Sequence, residues 1–127
     1  MIEPSGALGD EKHCVVCGRR FGWRRRWERE WDRIQHCSKR CGRRRLTATD
    51  ARLEQAILAL LSSSGTPLIS PNDAARTIGK GWRALSERAR DAARRLSAQG
   101  RVSFVQGGRE VDASSAKGPV QLRLRRS

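Results

Sequence analysis

No apolar run in these 127 residues approaches the roughly 18 needed to cross a bilayer. The opening residues, MIEPSGALGDEKH, lack the charged-then-apolar order of a secretion signal. The expectation is therefore a cytoplasmic protein, in which reducing conditions disfavour disulfides and push cysteines toward metal binding. Catalytic patterns are missing as well: there is no Ser/His/acid set, no phosphate-cradling glycine loop and no pair of carboxylates suited to acid–base work. Both histidines, His13 and His36, adjoin cysteines. An enzyme is not expected. Acidic residues are scarce, 13 against 27 basic ones, for a net charge of +14 and a pI near 11.5. Such a field draws phosphate backbones or anionic membrane surfaces, so nucleic acid is the expected partner. Lysine is rare within that basic set, and an arginine excess of this kind also follows from a GC-rich genome. Internal repeats are absent.

Hydrophobic residues make up 37% of the chain, and the twelve glycines bring the apolar share near the roughly 45–50% of a folded protein. A chain of this length suits one ordinary domain or two very small ones, and small domains need a staple because they bury little surface. Lys12 to Arg45 carries a net +10, and the longer stretch from Leu46 to Ser127 a net +7. The drop in charge density sets a boundary near residue 46. This yields a flexible tail over 1–11, a metal-binding module over 12–45 and a second domain over 46–127.

In the second domain Leu53, Ile57, Leu60 and Leu61 recur at helical spacing behind Thr47 and Asp50, which are placed as a capping box, predicting a helix over about 48–63. SSSGTP breaks it. Leu68 and Ile69 offer a two-residue strand, and SPND supplies an N-cap serine, a proline at N1 and an acid at N3 for a helix over about 71–78 that stops at Gly79. Trp82, Leu85, Ala89, Ala92, Ala93 and Leu96 form the apolar face of a third helix, about 82–98, closed by Gly100. Its opposite face carries Arg83, Glu87, Arg90 and Arg94. RVSFVQGGREV then alternates around a Gly-Gly turn as a hairpin, and VQLRLR reads as a last strand. This order matches an α+β winged helix-turn-helix domain, in which the third helix commonly enters a major groove and the hairpin reaches the backbone.

Cys14, Cys17, Cys37 and Cys41 are spaced Cys-x2-Cys-x19-Cys-x3-Cys. A Cys-x2-Cys turn lets two sulfurs reach one ion, and Gly18 permits the tight backbone of a knuckle. Ser38 as N-cap places Cys41 in a first helical turn, where the helix dipole favours thiolate. Four thiolates close a tetrahedron without an open position, so the expected cofactor is structural Zn2+. Its binding supplies on the order of 10 kcal/mol, and without it residues 12–45 are expected to be unfolded. His13 and His36 are expected beside the ion rather than on it.

Between the cysteine pairs, Trp23, Trp27 and Trp31 share one face of a helix, and Trp23 and Trp27 would also share one side of a strand. The module has few other large apolar residues, chiefly Phe21, Val15, Val16 and Ile34, so tryptophan is the natural packing material; stacking on exposed bases is the alternative use. Arg24, Arg25 and Arg26 cannot all be buried in so small a unit, and with Arg43, Arg44 and Arg45 they offer phosphate contacts. In the second domain the candidate contacts are Arg83, Arg90 and Arg94 on the third helix and Arg109 on the hairpin. Glu87 interrupts that helical face.

CVVCGRRFGWRRRWEREWDRIQHCSKRC resembles a short bacterial zinc-ribbon-like domain of unknown function, with its knuckle, its W-R-x-x-W stretch and its Cys-Ser-x-x-Cys close. The resemblance covers about residues 12–45, and the close also looks like a treble-clef arrangement. Where such knuckles usually read GRPF, this chain has Arg19-Arg20-Phe21. SPNDAAR, WRALSERARDAARRL, GRVSFVQGGREVD and KGPVQLRL are similar to a second bacterial domain of unknown function with a winged-helix-like pattern. The resemblance implies a fold and a pairing of the two modules, and no activity. From the residues themselves the leading expectation is a nucleic-acid-binding protein, with duplex DNA slightly ahead of structured RNA. A protein-binding adaptor using the same two modules as docking surfaces is the alternative.

Overall fold

The computed structural model describes residues 9–63 and 67–125. Most of the expected tail, and residues 64–66 of the expected helix break, lie outside them. The described part of the tail corrects the reading of 1–11, because Glu11 opens a strand. β1 (Glu11–His13) pairs antiparallel with β2 (Arg20–Gly22), Glu11 opposite Gly22 and His13 opposite Arg20. Between them the chain turns as a knuckle, in which the Cys14 amide donates to the Arg19 carbonyl at 2.8 Å and the Gly18 amide to the Cys14 carbonyl at 2.9 Å. Gly18 sits at φ +76°, a conformation that costs glycine nothing.

The tryptophan stretch is neither one helix nor a strand. It runs through two single 3-10 turns, Arg25–Trp27 and Trp31–Arg33, before the short helix α1 (Lys39–Arg43). A continuous helix over 23–36 would carry the chain about 20 Å one way. That is hard to reconcile with Cys37 returning to 3.5 Å from Cys17. α1 begins as its sequence predicts: the Cys41 amide donates to the Ser38 hydroxyl at 3.3 Å.

The second region opens with α2 (Ala48–Ser62), whose N-terminus is closed by the Thr47 amide donating to Asp50 at 2.8 Å. α3 (Pro71–Ile78) is held in the same way, with the Ser70 amide donating to Asp73 at 2.8 Å. The third helix is shorter than its periodicity predicts. Trp82–Leu85 forms a 3-10 turn and α4 occupies Ser86–Ala98, because Leu85 at φ −98°, ψ 0° interrupts the helical dihedrals. β3 (Val102–Gln106) and β4 (Arg109–Val111) form the hairpin across Gly107 and Gly108, both at positive φ as a tight turn requires. β5 (Gln121–Leu124) adds to the other side of β3, for the order β4-β3-β5, all antiparallel. The expected strand at Leu68–Ile69 is a single bridge, Ile69 to Leu122.

Leu53 and Ile57 of α2, Leu96 of α4, and Val102, Phe104 and Leu122 of the sheet are buried together. Ala74, Ala75, Ala89, Ala92 and Ala93 let the three helices approach closely over this core. Trp82 and Leu85 are only partly buried at its edge. No helix among the described residues is long and apolar enough to cross a membrane.

The N-terminal module is seated on α4. An alanine methyl at Gly18 would lie 2.5 Å from Arg94 Cβ and from the Arg95 amide nitrogen, so only a glycine admits this approach. Arg95 donates to the Val16 carbonyl at 2.6 Å, and Arg20 reaches Asp112, near the end of the hairpin, at 2.8 Å.

Candidate metal centre and its basic surroundings

The knuckle brings Cys14 and Cys17 to one point, and the Ser38 cap turns Cys41 toward them. All four sulfurs lie within 4.8 Å of one another, Cys17 to Cys37 at 3.5 Å and Cys37 to Cys41 at 3.7 Å. A tetrahedral ion with bonds of about 2.3 Å sets its sulfurs about 3.8 Å apart, so the set fits such an ion. All four cysteines are free thiols, and no histidine belongs to the cluster among the described residues. Sulfurs this close do not ionise independently. The hydrogen bond from the Cys17 thiol pulls Cys14 down to about 3, while sharing that same bond pushes Cys17 far up. Burial raises Cys41 as well. A cation that replaces those protons relieves the conflict. The four cysteines thus form a site for a metal ion.

Around the cluster Val16 is buried, and Phe21 packs against it. Phe21 in turn meets the edges of Trp27 and Trp31 at ring distances of 5.9 and 5.7 Å, and those two indoles stack at 6.0 Å. Trp31 is buried, and Lys12 lies over its ring at 4.6 Å while donating to the Trp31 and Ile34 carbonyls. Trp31 is therefore core, and Trp23 and Trp27 are half-buried, the Trp23 indole nitrogen being itself buried. Trp27 keeps an accessible side, where Arg24 and Arg26 stand 5.3 and 5.0 Å from its ring centre.

The candidate phosphate-binding arginines divide into two classes. Arg24, Arg25, Arg26, Arg43 and Arg45 are exposed, and no ion pair among the described residues engages them. Arg109 is exposed at the tip of the hairpin, and Arg83 is exposed with its guanidinium 4.9 Å from the Trp82 ring. Arg44, by contrast, donates to Asp91 at 2.5 Å and to Asp50 at 3.1 Å. Arg94 was expected on the open face of the third helix, and the structure corrects this. It is 4% exposed beneath the knuckle and paired to Asp91 at 2.7 Å. Arg90 donates to the Gly118 and Ala116 carbonyls at 2.6 and 2.8 Å, tying α4 to the segment before β5. The exposed face predicted for α4 is in large part covered.

Sequence reasoning missed the joint between the modules. Asp50 is 1% exposed and accepts from Arg88, Arg44 and Thr47. Burial alone would raise its pKa, but the Arg88 guanidinium and the Thr47 amide outweigh that and hold it at about 2. Arg95 was likewise unmarked, although it joins Glu54 on α2 to the knuckle. The available signal was Asp91, a lone acid in the arginine-rich stretch from Arg88 to Arg95.

Residues 50–125 match the family described as "Protein of unknown function (DUF3253)", and residues 8–44 match "Uncharacterized protein conserved in bacteria (DUF2256)". Comparison with curated proteins finds no match.

Proposed function

This chain belongs to the family "Protein of unknown function (DUF3253)", and we propose that it binds nucleic acid through the basic face of a zinc-loaded N-terminal module. The observation that carries this reading is the set of exposed arginines, Arg24, Arg25, Arg26, Arg43 and Arg45, outside the ion pairs that hold the fold. Guanidinium groups held on a rigid scaffold neutralise phosphates with little rearrangement. Zinc is the metal of choice for four thiolates in a closed set, held by Cys14, Cys17, Cys37 and Cys41, where it would act by holding the module together. We read the module as treble-clef-like or zinc-ribbon-like and the second region as a winged-helix arrangement in the cytoplasm. Its hairpin contributes Arg109 and the 3-10 turn Arg83. With Arg94 buried and Arg90 tied to carbonyls, α4 is left out of the binding surface, and the role is binding rather than catalysis.

The adaptor alternative would call for a continuous apolar docking face. The large apolar residues exposed among the described ones are Val15, Leu46 and Leu124, one each from the knuckle, the linker and the last strand. A titration of random-pool DNA and RNA binding at two salt concentrations tests the proposal. Affinity should fall steeply with salt, in proportion to the phosphates neutralised. A specific protein partner with no detectable polyanion binding would reverse it.

A further inference from the structure

A groove of about 450 Å³ opens beside the aromatic cluster of the N-terminal module. Trp27, Ile34 and Gly42 give it apolar surface, and Arg26, Arg33 and Lys39 bring three cations to it against one acid, Glu30. Trp27 is braced from behind by its stack on Trp31, so its ring has a fixed orientation. Among the described residues no ion pair engages Arg26, Arg33 or Lys39.

We infer that this groove receives an unpaired nucleobase, with Arg33 and Lys39 on the flanking phosphates, so that the ligand is single-stranded DNA or RNA. The inference rests on the nucleic-acid reading above and narrows it. An aromatic ring held by its neighbour in a recess with cations around it matches what a splayed-out base and its backbone present. A base inside a duplex is paired and stacked, and reaches such a recess only after extrusion. Reading a duplex through its major groove calls for an exposed helix or ribbon, and the helix expected to do so has Arg94 buried and Arg90 tied down. An acidic peptide would use the cations but would leave the Trp27, Ile34 and Gly42 surface uncovered.

Gly42 supplies a variant whose added Cβ meets no close contact. A side chain there starts at ordinary contact distance from His36, 3.8 Å, within α1 and on the groove wall. Gly42→Leu should occupy the space meant for the base. The experiment measures anisotropy of labelled 12-nucleotide strands with the metal-loaded full chain: base-bearing DNA and RNA, their blunt duplexes, and an abasic strand of equal charge. The base-bearing single strand should bind at least about tenfold more tightly than either the duplex or the abasic strand. Gly42→Leu should remove most of that advantage while leaving abasic-strand affinity and metal content unchanged. Arg33→Ala with Lys39→Ala should weaken both strands. Whichever of the DNA and RNA strands binds more tightly identifies the source of the base. If the abasic strand or the duplex binds as tightly as the base-bearing strand, the base-stacking site is wrong while the phosphate-binding function stands. If none of the strands binds, both fall. Should Gly42→Leu lose its metal, the abasic comparison on the unaltered protein decides alone.

Discussion

From Leu53 to Leu122 the chain buries a continuous core, with Ile57, Leu96, Val102 and Phe104 at 0 or 1% exposure. From Glu11 to Arg43 the buried apolar residues are Cys14, Val16, Cys17 and Trp31. The larger, C-terminal region can fold on hydrophobic burial. The smaller, N-terminal one cannot, because so few of its side chains leave water. Two of its four buried apolar residues belong to the cysteine cluster, so its stability would rest on an ion held there. The difference also sorts the charges. In the larger region acids are placed to meet arginines, Asp50 with Arg88 and Asp91 with Arg94. In the smaller one Arg20 meets Asp112, while Arg24, Arg25, Arg26 and Arg43 are left exposed, which keeps them available to a ligand.

Metal removal tests the contrast most severely. Chelation, or Cys14→Ser, should cost on the order of 10 kcal/mol and unfold residues 11–43, while α2 to β5 keep their structure. Hydrogen exchange resolved along the chain would show protection lost in one region and retained in the other. Uniform loss would mean that the larger region depends on the smaller.

The joint between them comes next. Asp50→Asn leaves the Arg44 and Arg88 guanidiniums without their shared carboxylate and should cost about 2 to 3 kcal/mol in denaturant unfolding near neutral pH. The folded carboxyl is held at about 2, below its ordinary 3.8. Its contribution is therefore complete above about pH 4 and disappears as pH falls through about 2. The gap between variant and parent should close over that same window.

A smaller effect is expected at the seam. Gly18→Ala puts a methyl against the Arg94 backbone and strains a positive φ. It should cost about 1 to 2 kcal/mol, limited because the modules can part. Small-angle scattering should then report a larger radius with both regions still folded.

The least effect on stability should come from Arg24→Ala, Arg25→Ala and Arg26→Ala together. Melting should change by no more than about 1 kcal/mol, the size of exposed cation–π contacts. Nucleic-acid affinity should drop, and the salt dependence should become shallower by up to about three units of slope. A large stability loss here would mean that these arginines are structural after all.

What was readable from order alone is the part governed by neighbours a few residues apart. The cysteine spacing marks the metal site because a knuckle and a capped helix turn bring each pair together by local geometry. Ser70 and Asp73 mark a helix start for the same reason, and the Gly107-Gly108 turn determines its hairpin. The split of the third helix at Leu85 was not legible, since its apolar positions keep helical spacing across the break. The tryptophan path is not decided by local spacing, because its course depends on where Cys37 must return.

Arg94 and Arg44 show the other limit. Both look like surface charges in a basic sequence, but contact across the fold pairs Arg44 with Asp91 and covers Arg94, whose own ion pair with Asp91 is local. Gly18 and Val16, more than 70 residues away, cover Arg94 and bind Arg95. Spacing along a helix says which residues share a face. It carries no information about which other piece of the chain will be laid upon that face, and burial, with the pairing it enforces, follows from that contact.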